Sequence, residues 1–198
     1  MSDIVLFPSV CPCPWTGSFE GPGGDIGRHR VDDELRQRFD DRLRTMGGFH
    51  EGRVTHELMA ASWPTADADR AASGPTAESA GIWRSMPKTV YSRTLPPGAA
   101  PRNTTVVPEA VAADVRARRA RGGGDLALGG ADLAGTFLRH GLVDGFRIYA
   151  HPVLVGGGTR LFPEAGADRA AGLRLVETRA FGDGAVPLNH RLEREGDR

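Results

Sequence analysis

Three short segments carry the side chains and backbone freedom needed to hold an anion. Gly52-Arg53-Val54-Thr55 places a glycine before an arginine and a threonine, where a helix should begin near Val54 or Thr55. An arginine beside unpaired helix N–H groups suits a phosphate, and the Thr55 hydroxyl adds a donor. Tyr91-Ser92-Arg93-Thr94 ends a strand on a hydroxyl and a guanidinium. That pair suits an adenosine ribose carrying a 2′-phosphate, which favours NADPH over NADH. The third segment, Gly129-Gly130-Ala131-Asp132-Leu133, breaks a buried strand (Leu126, Ala127, Leu128) on two glycines and opens a helix with Leu133, Phe137 and Leu138 on one face. Without side chains at the break, a pyrophosphate can reach backbone N–H groups and the positive end of the helix dipole. Each segment also has a plainer reading. Thr55 serves equally as a helix cap, Arg93 as a solvated surface arginine, and the glycine pair as a tight turn.

Other chemistries find little support. Ser85 and Ser92 lack the G-x-S-x-G context of a nucleophile elbow. The glycine clusters match neither G-x-x-x-x-G-K-[ST] nor G-x-G-x-x-G in a first βαβ unit. His50, His56 and His190 have no partners at metal-ligand spacing, so no metal is expected, and His140 and His151 read as structural. Cys11 and Cys13 are too close for an ordinary disulfide and read as reduced thiols.

The elements that must position these groups alternate between strand and helix patterns. Residues 4–10 read as the first strand, and 11–30 as a loop rich in Pro and Gly. A helix over 33–46 follows from Leu35, Phe39, Leu43 and Met46 at helical spacing, with Asp32 placed to cap it. A short segment near 48–51 leads into the second helix, and the Pro-, Ala-, Ser- and Asp-rich run 62–80 reads as a long surface loop. Strands are expected at 88–92 and 104–107, and a helix over 108–120 with Pro108 in its first turn. Strand patterns return at 145–155, 173–181 and 184–193, the last two joined by Gly182-Asp183-Gly184. This alternation predicts an α/β architecture with a largely parallel sheet and an antiparallel C-terminal edge.

Bulk properties set limits around that picture. The 198 residues suit one domain, residues 1–198, and 39% hydrophobic with 25% charged residues is a globular composition. The 25 basic and 25 acidic side chains cancel, which argues against nucleic acid or an anionic membrane as partner. The apolar start is too short for a signal peptide or membrane span, so a cytoplasmic protein is expected.

Taken in order, GRVTHELMAASWP (52–64), PKTVYSRTL (87–95), the long run 123–163 and GLRLVETRAFGDG (172–184) resemble the dihydrofolate-reductase-like family. They look most like the branch related to the C-terminal reductase domain of bacterial riboflavin biosynthesis proteins. The resemblance implies a three-layer α-β-α fold with about eight strands, a small-molecule substrate and usually a homodimer. It also implies an NADPH site built from Gly52, Arg53, Thr55, Ser92, Arg93, Gly129, Gly130, Ala131, Asp132 and Leu133. The implied activity is hydride transfer to a small heterocyclic, carbonyl or imine substrate, such as a riboflavin-pathway pyrimidine or a pterin. The substrate side departs from the family pattern: Thr16 stands where an Asp is expected, Ile26-Gly27-Arg28-His29 replaces an Ile-Asp-Trp-His pattern, and Pro187 interrupts the last strand. Glu20, Asp25, His29 and Asp33 lie nearby, yet none is assigned as proton donor, so the catalytic residue stays unnamed. A non-catalytic NADP-binding module, serving as a sensor or assembly component, is the competing expectation.

Overall fold

In the strand Asp125–Gly129, Leu126 and Leu128 point to one face and Ala127 to the other, as alternate strand residues must. Both faces are covered, and this decides the layering. Leu126 and Leu128 join a buried cluster with Ile4, Leu6, Val115, Leu133 and Phe137. Ala127 joins a second cluster with Leu35, Met46, Met86, Tyr149 and Phe181 on the opposite face.

The computed structural model describes residues 1–6, 31–68, 75–96, 98, 100–101, 103–153, 158–162 and 171–193. Among these, the strands are β1 (Ile4–Leu6), β2 (Met46–Gly52), β3 (Lys88–Tyr91), β4 (Thr104–Val107), β5 (Asp125–Gly129), β6 (Gly145–Ala150), β7 (Leu173–Thr178) and β8 (Val186–Leu192). The helices are α1 (Asp33–Arg44), α2 (Arg53–Ser62), α3 (Pro75–Ser85), α4 (Ala112–Ala120) and α5 (Ala131–Arg139). All eight strands form one sheet in the order β4-β3-β2-β5-β1-β6-β8-β7. The pairs from β4 through β6 are parallel, and β8 pairs antiparallel with both β6 and β7. The three-layer α-β-α arrangement with an antiparallel C-terminal hairpin is therefore as expected.

Local chemistry explains most boundaries. Asp32 caps α1, its carboxylate accepting from the Leu35 N–H at 2.8 Å, and Asp33 and Glu34 complement the helix dipole. Buried Asp40 on α1 accepts the Ser79 hydroxyl of α3, its two oxygens lying at 2.8 and 2.9 Å, which ties the two helices together. Pro187 is accommodated in β8 because β7 pairs only up to Leu188, so the missing N–H faces no β7 partner.

Several expectations need correction. The first helix ends at Arg44, and Met46 opens β2, a strand of seven residues where only a short lead-in near 48–51 was expected. Gly47 and Gly48 mask that strand's propensity, yet its backbone needs them. A Cβ on Gly47 would fall 2.3 Å from the Gly123 carbonyl oxygen. The second helix begins at Arg53 rather than Val54 or Thr55. Within the expected loop 62–80, a 3-10 turn spans Trp63–Thr65 and α3 begins at Pro75. Buried Ser79, Trp83 and Met86 give that stretch a helical face that its small-residue composition concealed. The fourth helix starts at Ala112, leaving Pro108 outside it, and β3 ends at Tyr91. Of the strand expected over 4–10, the described part is Ile4–Leu6. β6 ends at Ala150, short of the expected Val155, and β7 ends at Thr178. The loop 11–30, with Thr16, Glu20, Asp25 and His29, lies outside the described residues.

Candidate functional site

Parallel strands deliver their carboxyl ends to one edge of the sheet, and the three segments singled out as candidate anion sites all begin there. Gly52 lies opposite Tyr91, and Glu51 opposite Gly129, so the ends of β3, β2 and β5 stand side by side. Two helices start there. α2 has Gly52 as its N-cap and α5 has Gly130, and neither receives a side-chain capping bond. The first N–H groups of each helix are thus left for another acceptor. Thr55 does not cap α2, as the plainer reading had it; it lies within the first turn, beyond the Gly52 N-cap. A Cβ on Gly130 would lie 2.9 Å from the Thr55 hydroxyl oxygen and 3.7 Å from the Gly52 nitrogen, so the two helix starts touch. Gly130 has φ +99°, a conformation that favours glycine.

The remaining expected residues sit around this junction. Ala131, Asp132 and Leu133 supply the first backbone N–H groups of α5; Leu133 buries its side chain in the core while Asp132 is exposed. Arg53 is exposed and holds Glu57 at 2.7 Å, one turn along α2. Ser92 donates its N–H to the Val107 carbonyl, and its hydroxyl oxygen accepts from the N–H groups of Thr94 and Leu95. Arg93 beside it is exposed. The structure thus unites Gly52, Thr55, Gly129 and Gly130 in direct proximity. Ser92 and Arg93 follow the end of β3 at the same edge. Bare glycines, two uncapped helix starts, a threonine hydroxyl and two arginines fit the phosphates of a dinucleotide.

A cavity of about 260 Å³ opens beside the junction, between the sheet and α1, α2 and α3. Thr55 and Gly129 belong to its wall as well as to the junction. The rest of the wall is largely aromatic and apolar, with Phe39, Phe49, Met59, Trp63 and Trp83. Its polar groups include Glu51, Arg36 and the Asp40–Ser79 pair.

Glu51 and its neighbours were not singled out from the sequence. Strand alternation turns Phe49 and Glu51 toward this cavity and His50 toward the other face. Glu51 is 4% exposed, and its Oε2 lies 3.0 Å from Nδ1 of His56, itself buried. The His56 ring stacks on Trp83 with centroids 6.2 Å apart. Lys88 is also buried, donating to the Met86 carbonyl at 2.8 Å with its ammonium 4.2 Å from the Trp83 ring centre. Burial lowers the Lys88 pKa, and the charge of Glu51 works against that shift. The available signal was the i, i+5 spacing of Glu51 and His56 across a strand-to-helix break. It becomes readable only once 46–52 is known to be a strand.

On the opposite face His50 lies 2.6 Å from the Tyr91 hydroxyl through Nδ1 and meets the edge of Phe137. Burial, and secondarily the Arg118 charge, hold its pKa down to about 3, so the ring is neutral. Burial likewise raises the Tyr91 phenol above its usual range. Among the described residues no three His, Cys, Asp or Glu side chains are placed to hold a metal, and no helix is long and apolar enough to cross a membrane.

Comparison with known proteins agrees with this architecture. Three solved structures illustrate the shared fold. A candidate riboflavin biosynthesis protein from Shewanella sp. PV-4 matches 98% of this chain and 100% of its own, at TM-score 0.70 and 19% identity. A pyrimidine reductase-like protein from Corynebacterium diphtheriae matches 98% of this chain and 92% of its own, at TM-score 0.66 and 13% identity. A deaminase/5-amino-6-(5-phosphoribosylamino)uracil reductase from Thermotoga maritima matches at TM-score 0.63 and 14% identity; 96% of this chain covers 57% of that longer one. In sequence, the uncharacterized protein YyaP of Bacillus subtilis (strain 168) is 29% identical over 176 residues, 87% of each chain. Residues 17–186 match the model of the RibD C-terminal domain, and the chain belongs to that reductase-domain family.

Proposed function

We propose that this protein is an NADPH-dependent reductase that transfers hydride to a small heterocyclic, carbonyl or imine substrate, of which a riboflavin-pathway pyrimidine or a pterin is the model. The observation that carries the reading is the meeting of two uncapped helix starts at Gly52 and Gly130, directly beside an aromatic cavity that shares Thr55 and Gly129 with them. When bound, the nicotinamide cofactor supplies the hydride.

The chain's own residues bind and orient. The backbone N–H groups of Ala131, Asp132 and Leu133 and the Thr55 hydroxyl face the pyrophosphate, with Arg53 free to exchange Glu57 for a phosphate oxygen. Arg93, with Ser92 beside it, takes the 2′-phosphate at the end of β3. The cavity walls exclude water from the substrate ring, which strengthens the polar contacts made inside. A cavity with an acidic group and a guanidinium favours turnover over a purely cofactor-binding module.

Equilibrium titration with NADPH and, in parallel, NADH, read by cofactor fluorescence, tests the reading. Micromolar NADPH binding with much weaker NADH binding is expected, followed by oxidation of NADPH when pyrimidine or pterin substrates are added. Failure to bind either cofactor would show that the glycine turns are purely structural.

A further inference from the structure

Two groups on the α4 face of the sheet carry hydrogen-bonding capacity that their surroundings leave unused. His50 is 1% exposed; its Nδ1 meets the Tyr91 hydroxyl at 2.6 Å, while its Nε2 has no hydrogen-bond partner among the described residues. The Nε of Arg118 on α4 is likewise buried and unpartnered, and its guanidinium makes no ion pair among those residues. Buried polar atoms left unsatisfied are costly, so they mark where a ligand gains most by binding.

Both residues line one cavity of about 280 Å³ between α4 and the strands β2, β3 and β4. The sheet separates it from the aromatic cavity, because His50 faces one side and Phe49 and Glu51 the other. Asp114, Arg118 and Arg121 follow helical spacing and turn one face of α4 onto it. Thr89 and Thr105, paired in the β3–β4 register, add two hydroxyls, and Val107, Val111 and Val115 add an apolar wall. We propose that this cavity is a second small-molecule site, which takes a compact hydroxycarboxylate with its carboxylate on Arg118 and its hydroxyl on His50.

Charge and spacing select that class. A guanidinium fork matches the two oxygens of a carboxylate, and a partly buried pair is stronger than an exposed one. One guanidinium nitrogen of Arg118 lies 3.5 Å from where a Cβ on Gly48 would stand. Residues 48 and 50 share a face of β2, which sets the guanidinium and the imidazole about 7 Å apart. That span suits a carboxylate and a hydroxyl at opposite ends of a six-membered ring. The His50 ring is neutral, so a hydroxyl suits it better than a second carboxylate. A hydroxyl both donates and accepts, and it therefore satisfies Nε2 in either tautomer. Glu109 and Asp114, near the start of α4, line the same cavity and disfavour a phosphate dianion.

The test is a calorimetric titration of the full chain with 4-hydroxybenzoate, beside 4-hydroxybenzamide, which lacks the charge, benzoate, which lacks the hydroxyl, and phenyl phosphate. Saturable binding of 4-hydroxybenzoate is expected, at least tenfold tighter than the amide or the phosphate and severalfold tighter than benzoate. Arg118→Gln should weaken 4-hydroxybenzoate at least tenfold and leave the amide unchanged, with thermal melting reporting that the variant is folded. His50→Phe should lower 4-hydroxybenzoate to the affinity of benzoate. No saturable binding, or equal affinity for acid and amide, would overturn the site whether or not the variants fold. So would a folded Arg118→Gln that binds 4-hydroxybenzoate as the wild type does, or tighter binding of phenyl phosphate than of the carboxylate. Competition between NADPH and 4-hydroxybenzoate would assign the compound to the proposed cofactor edge and overturn a second site; simultaneous binding supports it.

Discussion

The Thr55 hydroxyl occupies the space beside Gly130 where any other residue would carry its Cβ, at 2.9 Å. That single contact joins the first turn of α2 to the start of α5. It explains why a glycine, and not merely a small residue, stands at the junction. Gly130→Ala combines this clash with a φ of +99°. It is expected to cost about 1–3 kcal/mol in urea unfolding and to weaken NADPH more than tenfold by titration. Adding Thr55→Ala should relieve the clash but not the backbone strain, so stability should return only in part. Full recovery would mean that φ at this position is not constrained.

Arg93→Ala separates the 2′-phosphate assignment from general electrostatics. Arg93 is exposed at the end of β3 and is expected to reach only the group that distinguishes the two cofactors. NADPH affinity should fall about tenfold or more while NADH affinity stays nearly constant. Equal losses for both cofactors would remove the assignment.

His50 predicts an acid-sensitive term in stability. Its folded pKa is about 3 against an ordinary value of 6.5, so between these values the unfolded chain binds the extra proton. Stability therefore rises with pH across that window and is lost as pH falls below 6.5. At pH 5 the loss from this one ring is about 2 kcal/mol. Urea unfolding of wild type and His50→Gln at pH 7.5 and pH 5 measures it. The variant should lose about 2 kcal/mol less than wild type over that interval. Identical pH dependence would show that the histidine charges in the folded state.

Ser79→Ala removes the hydroxyl donated to the buried Asp40 carboxylate. Burial already raises the Asp40 pKa, with the Ser79 hydrogen bond opposing that shift. Losing the donor should destabilise the protein by about 1–3 kcal/mol at neutral pH. The penalty should shrink in acid, where the carboxyl is protonated. A constant penalty across pH would mean that the serine matters only for packing between α1 and α3.

Much of this protein is written in local pattern. The apolar run Leu126, Ala127 and Leu128, the Asp32 cap and the helical spacing of Leu35, Phe39 and Leu43 depend on near neighbours, and they specify a layered α/β chain without reference to the rest. The Gly129-Gly130 break is legible for the same reason, because one chiral constraint on the backbone leaves a residue-type signature. The tertiary structure decided the elements whose reasons are non-local. Met46–Gly52 is a strand because β3 and β5 flank it, while its glycines, needed for close backbone approach, erase its propensity. Pro75–Ser85 is a helix because Ser79 and Trp83 find partners on α1 and α2. The Glu51–His56 pair follows from both. Its residues become acid, brace and wall only when a sheet and three helices close around them, and burial then turns ordinary side chains into a site.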